Sequence, residues 1–166
     1  MEDENRSIAY LKMDENPSTE LKSYEDYLRW SENCLNEANA YFEVSSRCKD
    51  MFLSEYKNAF LTNVSFACEL YLKYLLLKQY INCRKEHNLY KLYKKLPEKI
   101  QEDLKKKHPC GNISIDEFEL ELDNIGQAYM IFRYIYERGN RAYNFQFLME
   151  LLFTLHSVIH YNKKCE

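Results

Sequence analysis

Residues 58 to 78 read Asn-Ala-Phe-Leu-Thr-Asn-Val-Ser-Phe-Ala-Cys-Glu-Leu-Tyr-Leu-Lys-Tyr-Leu-Leu-Leu-Lys, with no Gly and no Pro. Phe60, Val64, Ala67, Tyr71 and Leu75 recur at steps of three and four residues, with Cys68, Leu72 and Leu76 beside them. A stripe that wide predicts a central helix touched by several neighbours, beginning as early as Lys49 and running to Lys78. Glu69 and Lys73 fall on its flank at i,i+4 with the acid nearer the N-terminus. That orientation gives a helical ion pair about a few tenths of a kcal/mol, and the plain reading puts such a pair on the surface.

The rest of the chain supplies partners for that helix. Pro17, Ser18 and Thr19 offer helix-start chemistry, and Leu21, Tyr24, Leu28, Cys34, Leu35, Ala38, Tyr41 and Phe42 keep helical spacing to about Val44. The spacing predicts an antiparallel neighbour of the central helix. Residues 81 to 86 read as a loop, followed by a short helix from Asn88 to Leu96 that Pro97 stops. Glu98 to Lys107 predicts another short helix, ended by His108-Pro109-Cys110-Gly111-Asn112. Seven lysines between Lys91 and Lys107 read as a solvated helical face. Phe118, Leu122, Ile125, Tyr129, Phe132 and Tyr136 predict one helix from Ile115 to Glu137, opened by a Ser114/Glu117 capping box, although Gly126 inside it costs about 1 kcal/mol of propensity. Gly139-Asn140 reads as a turn, and Phe145 to Tyr161 as the closing helix.

With 166 residues, the chain suits one core that buries about two-thirds of the unfolded surface. Three Gly and three Pro against fifteen Tyr and nine Phe argue for long helices packed by aromatics. The expected class is all-α, an up-and-down bundle of five or six helices. Residues 1–17 are expected to be a flexible acidic tail and 18–166 a single domain. A formal net charge of −3 gives no global drive toward nucleic acid or an anionic membrane, so any RNA site must be local. The start Met-Glu-Asp-Glu-Asn-Arg lacks the features of a signal peptide, and no membrane association is expected; the expected compartment is cytoplasmic. Six cysteines without a CxxC read as reduced thiols in helical faces.

Three segments carry a family likeness. Phe66-Ala-Cys-Glu-Leu-Tyr-Leu-Lys-Tyr-Leu-Leu-Leu77 resembles the second helix of the HEPN family, small helical domains common in prokaryotic toxin–antitoxin and defence systems. His87-Asn88-Leu89-Tyr90-Lys91-Leu92-Tyr93-Lys94-Lys95-Leu96-Pro97 is similar to the family's His-Asp/Asn-Leu segment, and Phe132-Arg133-Tyr134-Ile135-Tyr136-Glu137 to the Arg-Tyr-x-Tyr-Glu run of one branch. They occur in the family's order.

The resemblance implies a helical bundle, a homodimer and a link to RNA. HEPN ribonucleases pair an Arg with a His four to six residues later, at a groove where two protomers meet; the His exchanges protons and the Arg steadies charge on the phosphorane. Here the place for the His after Arg133 is held by Arg138, and after Arg138 by Tyr143 and Asn144. A guanidinium stays protonated and cannot be the base. The departure favours binding over catalysis. Candidate ligand-binding residues are Arg133, Arg138, Asn140, Arg141 and Tyr143, cations and an aromatic grouped near a helix end, with Glu69 and Lys73. Candidates for a non-standard catalytic site are Arg133, Arg138 and His87, with Tyr134, Tyr136 and Tyr143 as weaker alternatives because a phenol near pKa ~10 is a poor base.

A competing structural reading pairs Arg133 with Glu69 or Glu137. His156 and His160 share a helix face at i,i+4 but have no acidic partner one turn away, so packing is expected rather than metal binding. No Gly-rich phosphate loop, Gly-x-Ser-x-Gly or His-Glu-x-x-His occurs, and no cofactor is expected. Three functions fit: an RNA- or nucleotide-binding protein without the usual ribonuclease pair, an active ribonuclease toxin with a non-standard site, or a non-enzymatic interaction module with an antitoxin-type protein partner.

Overall fold

The computed structural model describes residues 21–48, 50, 55–109, 115–134 and 143–162. Helix α1 spans Tyr24–Arg47, α2 Lys57–Leu77, α3 Leu89–Lys94, α4 Glu98–Lys107, α5 Ile115–Asn124, α6 Ala128–Arg133 and α7 Phe145–Asn162. There is no strand among the described residues. With α5 and α6 taken as one interrupted helix, this is the expected bundle.

Helix α2 is the axis because its apolar residues cover nearly its whole circumference. Phe60, Leu61, Val64, Ala67, Cys68, Tyr71, Leu72, Leu76 and Leu77 are all buried. It is long and apolar enough to cross a membrane, but most of it is buried inside the bundle. Helix α1 runs antiparallel to it: the Tyr24 and Tyr27 rings meet Tyr80 just beyond the end of α2, while the Tyr71 hydroxyl donates to Asn39 Oδ1 at 2.8 Å. The same Asn39 oxygen lies 3.0 Å from His160 Nε2, tying α7 to both helices. The His156 ring stacks on Phe42 at 3.8 Å, so His156 and His160 serve packing and a hydrogen bond.

Several expected boundaries move. Helix α1 starts at Tyr24 rather than near Ser18, because Ser23 and Asp26 form a reciprocal capping box. Helix α2 starts at Lys57, not Lys49, with Glu55 and Tyr56 in a turn. The expected helix 115–137 is broken: residues 125–127 turn between α5 and α6. The break falls where Gly126 meets the side chain of Asn88, which occupies the space a Cβ would need. The acidic tail 1–17, Ser114, the end of the expected helix at 135–137 and the Gly139-Asn140 turn lie outside the described residues.

Near the far end of the bundle, α4 leads into His108, which is fully buried between Phe118 and Phe147 with Nε2 3.4 Å from the Phe147 carbonyl. Burial pushes the His108 pKa below the ordinary 6.5, although the Phe147 carbonyl and Glu150 oppose it. Burial and the neighbouring His160 lower His156 in the same sense, with Glu43 opposing. An unfolded chain therefore takes up protons, as pH falls through 6.5, that the folded chain still refuses. The stability present above pH 6.5 is expected to decline below it. His108→Phe, which keeps the aromatic packing, is expected to flatten the decline. Urea titrations above and below that pH measure both; identical acid limbs in the two chains would refute it.

Candidate functional site

The side chains able to do chemistry gather at two places. The first is the second half of α2, where Glu69 and Lys73 lie one turn apart. They are not surface decoration, as the sequence suggested: Glu69 is 1% exposed and Lys73 8%. The residues on either side of them are apolar, so when α1 and the loop after α2 cover the helix, the pair is covered too. Lys73 Nζ lies 2.8 Å from Glu69 Oε1 and donates to the Arg84 carbonyl at 3.4 Å. His87 Nδ1 reaches the same Glu69 oxygen at 2.9 Å. Glu69 Oε2 has no hydrogen-bond partner among the described residues.

The loop that brings His87 here is built from local bonds. Asn82 Oδ1 accepts from the Arg84 amide at 3.3 Å, and Glu86 Oε1 accepts from the amides of His87 and Asn88 at 3.2 and 3.1 Å. Partial burial pushes the Glu86 carboxyl up, but those two amides and nearby lysines hold it below its ordinary value. Asn88 Oδ1 then caps α3 through the Lys91 amide at 2.9 Å. Leu89 is fully buried, and its amide donates to the Gly126 carbonyl at 2.8 Å. The three residues of His-Asn-Leu thus act separately. His87 engages the buried acid, Asn88 caps a helix, and Leu89 docks on the turn between α5 and α6. Sulfur groups lie close by: burial pushes the Cys34 and Cys83 thiols up to about 11, despite the opposing charge of Lys73. They remain protonated and unreactive at neutral pH.

A carboxylate only accepts, so Nδ1 donates, and this leaves the Nε2 side of the ring facing away from the acid. The His87 side chain is 56% exposed. A carboxylate-oriented, solvent-reachable imidazole is the arrangement of a general base.

The second place is the end of α6. Gly126 sits beside Leu89, the Tyr129 ring stacks on Phe66 at 4.9 Å, and Phe132 meets Phe145, whose ring lies 5.6 Å from Lys57 Nζ at the start of α2. Helix α6 therefore runs antiparallel to α2 and carries Arg133 away from His87. The Arg133 guanidinium is exposed, donates to the Tyr129 hydroxyl at 3.0 Å, and sits 5.9 and 5.4 Å from the Tyr129 and Tyr134 ring centres. Among the described residues it meets no carboxylate, so the expected Arg133–Glu69 alternative does not form; Glu69 is taken by Lys73 and His87. Glu137 lies outside the described residues, as do the candidates Arg138, Asn140 and Arg141, and the weaker candidate Tyr136. Tyr143 is half-buried against Phe132 at 5.7 Å, and its hydroxyl has no partner among the described residues.

The structure thus separates the candidates: Glu69, Lys73 and His87 in one cluster, Arg133 in another. Tyr129 was missed by sequence reasoning, although its place one turn before Arg133 on the same helix was a usable signal.

A family model described as HEPN domain matches residues 24–161. The chain belongs to the HEPN domain family. The match runs from the first residue of α1 almost to the end of α7, so the whole described bundle is the HEPN domain. No curated protein and no solved structure matches the chain. Membership is consistent with an RNA-related or nuclease-type function.

Proposed function

We propose that this HEPN domain binds RNA or a nucleotide as a cytoplasmic homodimer and does not cleave RNA by the usual Arg…His pair. The supporting observation is Arg133: an exposed guanidinium flanked by two tyrosine rings, with donors left for a phosphate and aromatic faces beside it for a base. Arg138, Arg141 and Asn140 follow within one short segment and would add phosphate contacts. Exposed Val44, Phe153 and Tyr161 offer apolar surface to a second copy or to an antitoxin-type partner.

One observation favours a second reading. The Glu69–His87 pair has the geometry of a general base, which supports an unconventional ribonuclease. Reading the chain as a pure interaction module loses the support that an Arg133–Glu69 lock would have lent it.

Purified protein incubated with end-labelled total RNA distinguishes these. A gel shift without cleavage is expected, weakened about tenfold to a hundredfold by Arg133→Ala, which removes one charge-assisted contact of about 1.5–3 kcal/mol. Cleavage abolished by His87→Ala would establish the ribonuclease reading instead. No shift and no cleavage would leave the interaction module.

A further inference from the structure

Helix α2 ends in a motif that normally calls for glycine. The Ile81 amide donates to the Leu76 carbonyl at 3.0 Å and the Tyr80 amide to the Leu77 carbonyl at 3.0 Å, the paired bonds of a Schellman cap. Tyr80 holds the left-handed position with φ 57°. A bulky side chain there is strained. The ring is not retained to fill the core, because it is 50% exposed.

The ring instead completes a surface. Tyr24, Tyr27 and Trp30 follow one another at three-residue steps on α1. Tyr80 lies against Tyr24 at 5.4 Å and Tyr27 at 5.7 Å, and Tyr24 is 60% exposed. Next along the stripe, the Arg84 guanidinium sits 4.0 Å from the centre of the Trp30 ring. Arg84 opens an adjoining groove of about 500 Å³ whose wall also carries Lys85 and Lys95. The acids nearby are largely answered within the fold: Asp26 accepts from the amides of Lys22 and Ser23 and from Arg29, and Glu86 from two amides with Lys95 at 4.0 Å. Exposed aromatic faces beside cations match the two repeating features of a single strand, its bases and its phosphates.

We propose that this face binds single-stranded RNA, with bases stacking on Tyr24 and Tyr80 and phosphates held by Arg84 and Lys85. This goes beyond Arg133 and rests on the RNA reading, but occupies the opposite end of α2.

Trp30 is the sole tryptophan and lies in the face, so its fluorescence reports binding there. The full chain is titrated with oligouridylate of about 12 nucleotides, within the usual site size. Saturable quenching that weakens with salt is expected. Tyr80→Gly should reduce affinity about tenfold while leaving the melting temperature unchanged or higher, since glycine relieves the cap; a merely structural ring would instead lower it. Arg84→Gln should weaken binding and its salt dependence together. Absent quenching, or equal affinity in wild type and Tyr80→Gly, overturns the proposal. Tighter binding of the matching single-stranded DNA overturns its assignment to RNA. A gel shift lost with Arg133→Ala but without any Trp30 response would leave the RNA reading intact and remove this face; no binding by either readout would remove both.

Discussion

Replacing Glu69 with alanine is expected to destabilise the protein by about 3–5 kcal/mol, because it strands the Lys73 ammonium in the interior. Glu69 Oε1 is the partner of both Lys73 and His87, and Lys73 is 8% exposed, so water can replace little of the pairing that the ammonium would lose. That loss is a large part of the about 5–15 kcal/mol that holds a domain together. His87→Ala should cost much less, about 1 kcal/mol, since its ring is largely exposed and only one bond is lost. The instructive variant is the double replacement Glu69→Met with Lys73→Met. It removes both charges, keeps the volume, and should restore most of the stability lost in the single variant. Urea denaturation of the four proteins measures all of this. If Glu69→Ala lost less than about 1 kcal/mol, Lys73 would have to reach solvent in the folded chain, and the buried pair would be wrong.

Gly126→Ala is expected to cost about 1–3 kcal/mol by overpacking. A Cβ at this position would lie 2.8 Å from Asn88 Nδ2, 2.9 Å from Asn88 Oδ1 and 3.0 Å from the Asp123 carbonyl oxygen. Were Gly126 inside a helix, as the apolar register suggests, propensity would make the change favourable by about 1 kcal/mol, so the sign itself is the test. The side chain in the way cannot simply swing aside, because Asn88 Oδ1 caps α3 and the next amide, Leu89, donates to the Gly126 carbonyl. Asn88→Ala alone should cost about 1 kcal/mol for the lost cap. Combined, the two changes should be less damaging than their sum, since removing the amide side chain also removes the clash. Additive losses would show that Gly126 is constrained by its own backbone and not by Asn88.

These two cases mark where local reading stops. The His-Asn-Leu segment was recognisable as a motif, and Asn88 as a cap and Pro97 as a stop follow from bonds within a few residues. What His87 engages does not, because Glu69 is eighteen positions away and meets it only after the loop folds back over α2. The helix from Ile115 was legible from its register through Tyr129, yet that register runs straight through the break. Periodicity records which face is apolar, and α5 and α6 present compatible faces on either side of the turn. It carries no information about a neighbouring loop that needs the space of a missing Cβ. Tyr80 was silent for the same reason: its strained cap is visible only as a dihedral angle.

By itself, then, the amino-acid sequence indicated most of the helices, their order and the central place of residues 58 to 78, which follow from spacing, breakers and short-range bonding along the chain, while the likeness of three motif segments pointed to the family. The tertiary structure alone decided that the Glu69–Lys73 pair is buried, that Arg133 stands exposed between tyrosines instead of pairing with Glu69, and that Tyr24, Trp30, Tyr80 and Arg84 form one face. Long charged and aromatic side chains choose partners by which elements dock beside them, and that choice depends on residues far apart in the chain.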